Sequence, residues 1–555
     1  MTKPLILTVD DDPQVLRAIA RDLVARYGRD FRVARAQSGA EALEILRHER
    51  ESAQPVALLV SDQRMPQQDG VQFLAEARTI VPAAKRALLT AYADTDAAIA
   101  AINTSQVDYY LQKPWDPPGD HLYPIIDDLL EDWRGGYRPG WGGVRVVGSR
   151  WMPSVHALKE FLARNHVPYE FFDIESTDER GREARELGGT TDALPLVIMP
   201  DGERLSNPTV DEVARRSGLK TEATQGTYDV AIVGAGPAGL AAAVYAASEG
   251  LKTVLLDREA PGGQAGTSSR IENYLGFPSG LSGQDLARRA LTQARRFEVE
   301  VLSPIDVKGL RVDGPFKHLQ IGDGGNGHQL SCKALVLTMG LAWQRLPAAC
   351  AEQYEGRGIY YGAATTEALS CRGEVVYIVG AGNSAGQAAM HLVNYARKVV
   401  MVVRGRDLGD RMSQYLVKRI GNDPRIEVQA RTEVVGCRGA DRLEGLTLKN
   451  LDTGATQDVD AGFLFVFIGA FPQTEWLGNQ VARDARGFIL TGPDLDRQRD
   501  LKAWPLEREP FLLEASVPGV FAAGDVRHES VKRVASAVGE GSVSVHFIHR
   551  YLASL

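Results

Sequence analysis

Residues 228–257 read YDVAIVGAGPAGLAAAVYAASEGLKTVLLD, and this stretch decides the fold. The apolar run 230–233 stops at Gly234-Ala235-Gly236-Pro237-Ala238-Gly239, an alanine-rich helical stretch follows, and a second apolar run, 253–256, ends on Asp257. Strand, glycine turn, helix, strand and acidic residue is the order of a dinucleotide-binding βαβ unit. Gly234 permits the tight turn, and Gly236 lets the backbone approach a pyrophosphate. Gly239 lets the helix pack closely on the sheet, and Asp257 can accept from a ribose hydroxyl. The stretch predicts a ligand that carries a pyrophosphate.

A second unit of the same kind lies downstream. The run 375–379 leads into Gly380-Ala381-Gly382-Asn383-Ser384-Ala385, and the run 398–403 ends on Arg404-Gly405-Arg406 instead of an acid. An acid at this position accepts from a 2′-hydroxyl, whereas arginine suits a 2′-phosphate. The first unit therefore suits FAD and the second NADPH. Near the end, residues 517–541 read VPGVFAAGDVRHESVKRVASAVGEG, which puts Gly524 and Asp525 after a buried run and before a helix start that can face a flavin carbonyl or a pyrophosphate.

Residues 5–133 alternate short apolar runs with amphipathic helices. Four runs end in polar residues: Asp10-Asp11-Asp12, Ser61-Asp62, Thr90 and Lys113-Pro114. In a parallel open sheet those ends share one crevice. Carboxylates gathered there call for a hard cation, Mg²⁺, and Lys113 and Thr90 could contact a phosphoryl group on Asp62. The pattern resembles the response-regulator receiver domain, a flavodoxin-like doubly wound sheet. The resemblance implies Mg²⁺ on Asp10, Asp11 and Asp62, phosphorylation of Asp62 by a cognate histidine kinase, and a switch made of Thr90, Tyr110 and Lys113.

Residues 144–219 give the order βαβ, then proline-strand-hairpin-helix, which resembles the thioredoxin/glutaredoxin fold. A redox motif there would sit at the first helix start, where the dipole lowers a thiol pKa. This chain has Trp151-Met152-Pro153-Ser154-Val155-His156, so Met152 and Val155 stand at the two cysteine positions and no thiolate can form. The implied role is a spacer, a docking surface or a peptide groove along a cis-Pro195. His156 is expected to be a solvated helix residue.

The chain of 555 residues is ordinary soluble globular in composition, at 44% hydrophobic and 24% charged. A net charge of −8 gives no reason to expect nucleic acid. No apolar run approaches the ~18 residues of a membrane span, and Met1-Thr2-Lys3-Pro4 opens no signal peptide, so a cytoplasmic protein is expected. The four cysteines, Cys332, Cys350, Cys371 and Cys437, form no C-x-x-C.

Residues 227–555 together resemble the flavin-dependent pyridine-nucleotide reductases, and more narrowly thioredoxin reductase over nearly its full length. Pro261-Gly262-Gly263-Gln264 and the later IENYLGFP match that family's flavin-contacting stretch. The resemblance implicates Gly263, Gln264 and Asn273, together with Gly340, Gly524 and Asp525, as FAD contacts, and implies a homodimer. Gly380, Gly382 and Ala385 match its nucleotide turn. Thr338-Met339-Gly340 departs modestly from its A-T-G, and Gly405 separates the two arginines. The larger departure is at its C-A-T-C motif, where this chain reads Gly362-Ala363-Ala364-Thr365. Disulfide exchange needs an attacking and a resolving thiol, and Gly362 and Thr365 supply neither.

The expected organisation is a receiver (1–134), a linker (135–143), a cysteine-less thioredoxin-like domain (144–225), and two Rossmann-like domains, for FAD (226–346 and 473–555) and NADPH (347–472). The expected chemistry is hydride transfer from NADPH to FAD, which requires no side-chain acid or base, so no catalytic residue is named. Electrons would pass to a non-thiol acceptor or redox protein. Phosphorylation of Asp62 would bias a swivel of the NADPH domain or a dimer contact through the Tyr110 face. A non-catalytic response regulator that senses redox state is the alternative reading, and a true thioredoxin reductase is the second.

Overall fold

The computed structural model describes the chain except for residues 1–2, 53, 91–106, 137–142, 166, 189–192, 269, 279, 323–327, 349–350, 363–366, 411 and 503. Thr365, Cys350 and most of the expected linker lie outside the described residues. Two compact units result, Met1–Gly142 and Gly143–Leu555.

In the first unit, β1 (Leu5–Val9), β2 (Arg32–Ala36), β3 (Val56–Asp62), β4 (Lys85–Thr90) and β5 (Tyr109–Gln112) form a parallel sheet in the order β2-β1-β3-β4-β5. β1 and β3 are near-continuous apolar runs, as strands buried on both faces must be. The strand order reverses between β1 and β3, so Asp10 and Asp62 come out beside one crevice. Asp12 caps the helix Pro13–Tyr27 by accepting from the Gln14 N–H at 2.7 Å. The last helix, Tyr123–Gly136, runs into the stretch expected to be linker.

The second unit opens with β6 (Val144–Gly148), β7 (Tyr169–Asp173), β8 (Leu196–Ile198) and β9 (Arg204–Ser206) in the order β7-β6-β8-β9. β6 and β7 are parallel and the β8–β9 hairpin is antiparallel, which is the thioredoxin-like arrangement; the Leu194–Pro195 bond is cis. The helix Pro153–Arg164 starts with proline, whose missing N–H costs nothing in a first turn. It buries Val155, Leu158, Phe161 and Leu162 on one face.

β10 (Thr227–Val233) and β11 (Thr253–Leu256) lie in a seven-stranded sheet with β12 (Glu300–Leu302), β13 (Val307–Asp313), β14 (Phe316–Ile321), β15 (His328–Leu337) and a strand from near the chain end. The path then crosses through β16 (Ala342–Trp343) into a five-stranded parallel sheet. That sheet holds β17 (Ile359–Tyr361), β18 (Val375–Val379), β19 (Lys398–Val402) and β20 (Ile426–Gln429). An antiparallel flap follows, made of β21 (Thr432–Arg438), β22 (Gly445–Asn450) and β23 (Thr456–Asp460). β24 (Phe463–Val466) completes the five strands, and β25 (Ala470–Phe471) pairs with β16 on the way back. β26 (Val520–Ala522) joins β15 in the first sheet. The fold is thus α/β throughout, with two Rossmann-like domains joined by a short two-stranded ribbon.

Candidate functional site

The turn after β10 is held by its own backbone. Gly234 has φ +102°, and an added Cβ would stand 2.4 Å from the Thr338 carbonyl. The Thr338 hydroxyl donates to the Gly234 carbonyl at 2.7 Å, fastening the turn to the end of β15. At Gly239 a Cβ would meet the Gly234 carbonyl at 1.9 Å, so the helix Pro237–Ser248 can sit this close only with glycine there. Gly236 differs: its φ is −72° and nothing lies within 4 Å of an added Cβ. The space before it opens into the cleft, as the approach of a pyrophosphate to a helix N-terminus requires.

Asp257 closes the turn from the other side. One carboxylate oxygen accepts from the Ala235 N–H at 2.7 Å and the other from Glu259 and Ala260 at 2.9 and 2.8 Å. Burial pushes its pKa up against these donors. A carboxylate has about four acceptor positions, so one remains for a ribose hydroxyl. Two connected clefts, of about 250 and 430 Å³, share Gly234, Asp257, Gly263 and Gln264. The first continues past Gly236 and Gly340 to Gly524, Asp525 and the start of the helix Val534–Leu552. This elongated space suits an extended dinucleotide.

Asp525 is half-buried, and among the described residues no donor reaches its carboxylate. Burial raises its pKa although Lys532 opposes the shift. An acceptor in that state fits a ligand hydroxyl, so the residues present fit FAD. Glu540 holds the loop by accepting from the Gly524 N–H and from Arg527, both at 2.7 Å; neither Glu540 nor Arg527 carries a sequence signal. Gln264 also lines the cleft and donates to the Leu341 carbonyl. Asn273 is exposed and is not among the residues that line the two clefts.

Replacing Gly236 by valine separates binding from folding. A side chain at 236 meets no protein atom but would occupy the space the pyrophosphate needs, so the purified variant is expected to lose flavin absorbance with a melting temperature within about 2 °C of the flavin-free parent, roughly the shift of a sub-kcal/mol change.

The second fingerprint keeps the same geometry. A Cβ on Gly380 would stand 2.5 Å from the Phe467 carbonyl, Gly382 has open space before it, and Ala385 is fully buried against the sheet. Asn383 accepts from the Ser413 N–H at 2.8 Å and so braces the loop after β19. Ser384 lines the first cleft. Arg404 and Arg406 are exposed, with Arg404 3.7 Å from Glu433.

Gly362 has φ +74°, and a Cβ on it would lie 2.4 Å from Nε1 of Trp343. The indole therefore fills the space that a side chain at 362 would need. Trp343 packs edge-on to Phe467 at 5.5 Å and lines both clefts. Nothing in the sequence around Trp343 signals this role.

The vanished redox motif of the thioredoxin-like domain is internal. Met152 packs on that domain's core and Val155 is fully buried in it. His156, expected to be solvated, is instead 14% exposed at the side chain, with Nδ1 2.8 Å from Glu367 and its ring 5.0 Å from Tyr360. Lys159 donates to both Glu367 oxygens at 3.1 and 3.2 Å. Burial alone would raise the Glu367 pKa, but the His156 hydrogen bond and the Lys159 charge overcome it and hold the carboxyl below its usual range.

In the first unit, Lys113 Nζ donates to Asp10 at 2.8 Å and to Asp62 at 2.6 Å. Burial raises the Asp10 pKa against the Lys113 hydrogen bond. Thr90 ends β4, the neighbour of β3, and Tyr110 lies partly buried in β5. Asp11 is exposed, and no group of three candidate ligands forms among the described residues. Asp10 and Asp62 thus offer two carboxylates, enough for Mg²⁺ that keeps several waters.

A receiver-type sheet and a two-Rossmann unit with paired glycine turns define the class. Residues 6–120 match the response regulator receiver domain and residues 228–541 match the pyridine nucleotide-disulphide oxidoreductase family, to which the chain belongs. It is 34% identical over 334 residues to NADPH-dependent thioredoxin reductase 3 of Arabidopsis thaliana, spanning 59% of this chain and 58% of that relative. It is 30% identical over 330 residues to the thioredoxin reductase of Mycolicibacterium smegmatis, spanning 60% and 98%. The solved thioredoxin reductases of Lactococcus lactis and T. acidophilum superpose with TM-scores of 0.52 each, at 26% and 27% identity. They cover 59% and 60% of this chain, and 100% and 99% of their own. The chain is a thioredoxin reductase-like oxidoreductase fused to a receiver domain.

Proposed function

We propose that the chain is an FAD-dependent NADPH oxidoreductase whose electrons leave for a non-thiol acceptor, under control of Asp62 phosphorylation. The carrying observation is Trp343: its indole stands where a side chain at 362 would stand, and the resemblance to thioredoxin reductase puts a redox thiol there. Bound FAD would take a hydride from NADPH and deliver electrons onward.

The protein's part is to hold and orient. The turn at Gly234 to Gly239 and the helix behind it receive the pyrophosphate, where the positive end of the helix dipole favours an anion. Asp257 keeps one acceptor position that a ribose could use, Asp525 would accept from a hydroxyl of bound FAD, and Gln264 and Gly340, which line the same cleft, would help hold the cofactor. Gly380, Gly382 and Ala385 make the second turn, with the exposed Arg404, after leaving Glu433, and Arg406 able to swing onto a 2′-phosphate. In the receiver, Asp10 and Asp62 would hold Mg²⁺, which would offset the charge of a phosphoryl group on Asp62, while Lys113 would follow the phosphoryl oxygens and Thr90 and Tyr110 would relay the change. A cognate histidine kinase, a cytoplasmic setting and homodimerisation belong to the same proposal.

The test is NADPH oxidation by the full chain with oxygen, a quinone, free flavin or a disulfide dye as acceptor, before and after acyl-phosphate treatment. Turnover is expected with a non-thiol acceptor and to change on phosphorylation in the parent but not in Asp62→Asn. Turnover with the disulfide alone would make it a thioredoxin reductase, and none with any acceptor would favour a sensor.

A further inference from the structure

The helix Pro153–Arg164 meets a different nucleotide-binding domain at each end. At its N-terminal end, Trp151 lies 5.5 Å from the Phe463 ring, with the Arg442 guanidinium 4.6 Å over the indole. Pro153 Cα is 3.1 Å from where a Cβ on Gly356 would stand, and His156 and Lys159 converge on Glu367. All four partners belong to the domain of the second fingerprint.

At its C-terminal end, Arg164 pairs with Glu259. Asn165 donates to the Glu259 carbonyl at 3.0 Å and accepts from the Ser303 hydroxyl at 3.4 Å, while Gln284 donates to the Ala163 carbonyl at 3.0 Å. These partners belong to the domain of the first fingerprint. Glu259 is part of the turn whose N–H groups hold Asp257, and Glu259 and Arg164 both line the second, 430 Å³ cleft.

We propose that this helix is a strut that sets the relative orientation of the two nucleotide-binding domains, and that the thioredoxin-like domain is an internal positioning element instead of an exchange partner. The helix is 12 residues long, a rigid rod of ~18 Å. It spans two bodies whose chain crossings are two-residue strands, β16 and β25. A ribbon that slim bends easily, whereas two anchored ends fix an angle. The face that carries a redox motif in active relatives of this fold is consumed: Trp151 packs on the core of the second nucleotide-binding domain, and Glu367 is 1% exposed beneath Lys159 and His156. Glu367 and Arg164 are thus positioning residues. The inference rests on these contacts and stands whatever the electron acceptor proves to be.

Spin labels at exposed positions 313 and 456, one in each nucleotide-binding domain, read the orientation directly in the full chain, with Cys350 and Cys437 changed to serine. The parent is expected to give one narrow distance that saturating NADPH leaves in place. Glu367→Gln at one end, and Arg164→Ala with Asn165→Ala at the other, are each expected to broaden that distribution while circular dichroism stays that of the parent. Two populations in the parent that NADPH interconverts, or an unchanged distribution in the Arg164/Asn165 variant, would overturn the strut. The parent measurement decides even if the Glu367 variant does not fold.

Discussion

Glu367→Leu is expected to destabilise the Gly143–Leu555 unit by about 3–5 kcal/mol, the cost of leaving a buried ion without its partner. Lys159 is only 5% exposed at its side chain and has no other carboxylate partner among the described residues, so its charge would be stranded between two domains. Urea unfolding of the full chain should show this as a lowered midpoint for the corresponding transition at nearly constant slope. The double variant Lys159→Met/Glu367→Leu should recover most of the loss, because a well-packed apolar pair often equals a buried ion pair. The sign of the pH dependence follows. Glu367 is held below its ordinary value of 4.5 in the folded chain, so its contribution is complete above about that pH and fades as pH falls through the lower folded value. The gap between parent and Glu367→Leu should therefore narrow below pH 4.5. A gap that widens in acid would mean the carboxylate is not stabilised by its cations.

Restoring cysteines at 362 and 365 is expected to fail as a route to disulfide reduction. Gly362 has φ +74°, a conformation that costs an L-residue roughly 1–2 kcal/mol. Its new Cβ would also lie 2.4 Å from Nε1 and 2.8 Å from Cε2 of Trp343, contacts that force the indole to move. Overpacking of that kind costs about 1–3 kcal/mol more. Gly362→Cys/Thr365→Cys should thus lose about 2–5 kcal/mol of stability in denaturant titration and show no turnover with a disulfide dye. Adding Trp343→Ala removes the collision and leaves the backbone cost, so measured against Trp343→Ala alone the two cysteines should cost only about 1–2 kcal/mol. If the double variant is as stable as the parent and turns over the dye, the indole does not close the thiol position.

Much of this molecule was legible as sequence. The turn at Gly234 to Gly239 is local chemistry: positive φ, close approach and a helix start all act within a few residues, and the structure reproduces each. The receiver crevice was legible for the same reason, since strand ends in a parallel sheet converge by topology alone and brought Asp10, Asp62 and Lys113 together. What stayed hidden depends on packing between distant segments. Lys159 and Glu367 are 208 residues apart, and no period or motif marks either. His156 was misread because an imidazole near a helix start is ordinarily wet, and only the docking of a second domain buries it. Trp343 was silent because the residue it displaces is a missing side chain.

We propose that the flavin accepts electrons from NADPH but has no thiol exit. Anaerobic stopped-flow mixing of the full chain with NADPH, followed by a second mix with either oxidised thioredoxin or a quinone, tests it most directly. The flavin absorbance is expected to bleach on the first mix, to return with the quinone, and to stay bleached with thioredoxin. Return of the absorbance with thioredoxin, or no bleaching by NADPH at all, would contradict it.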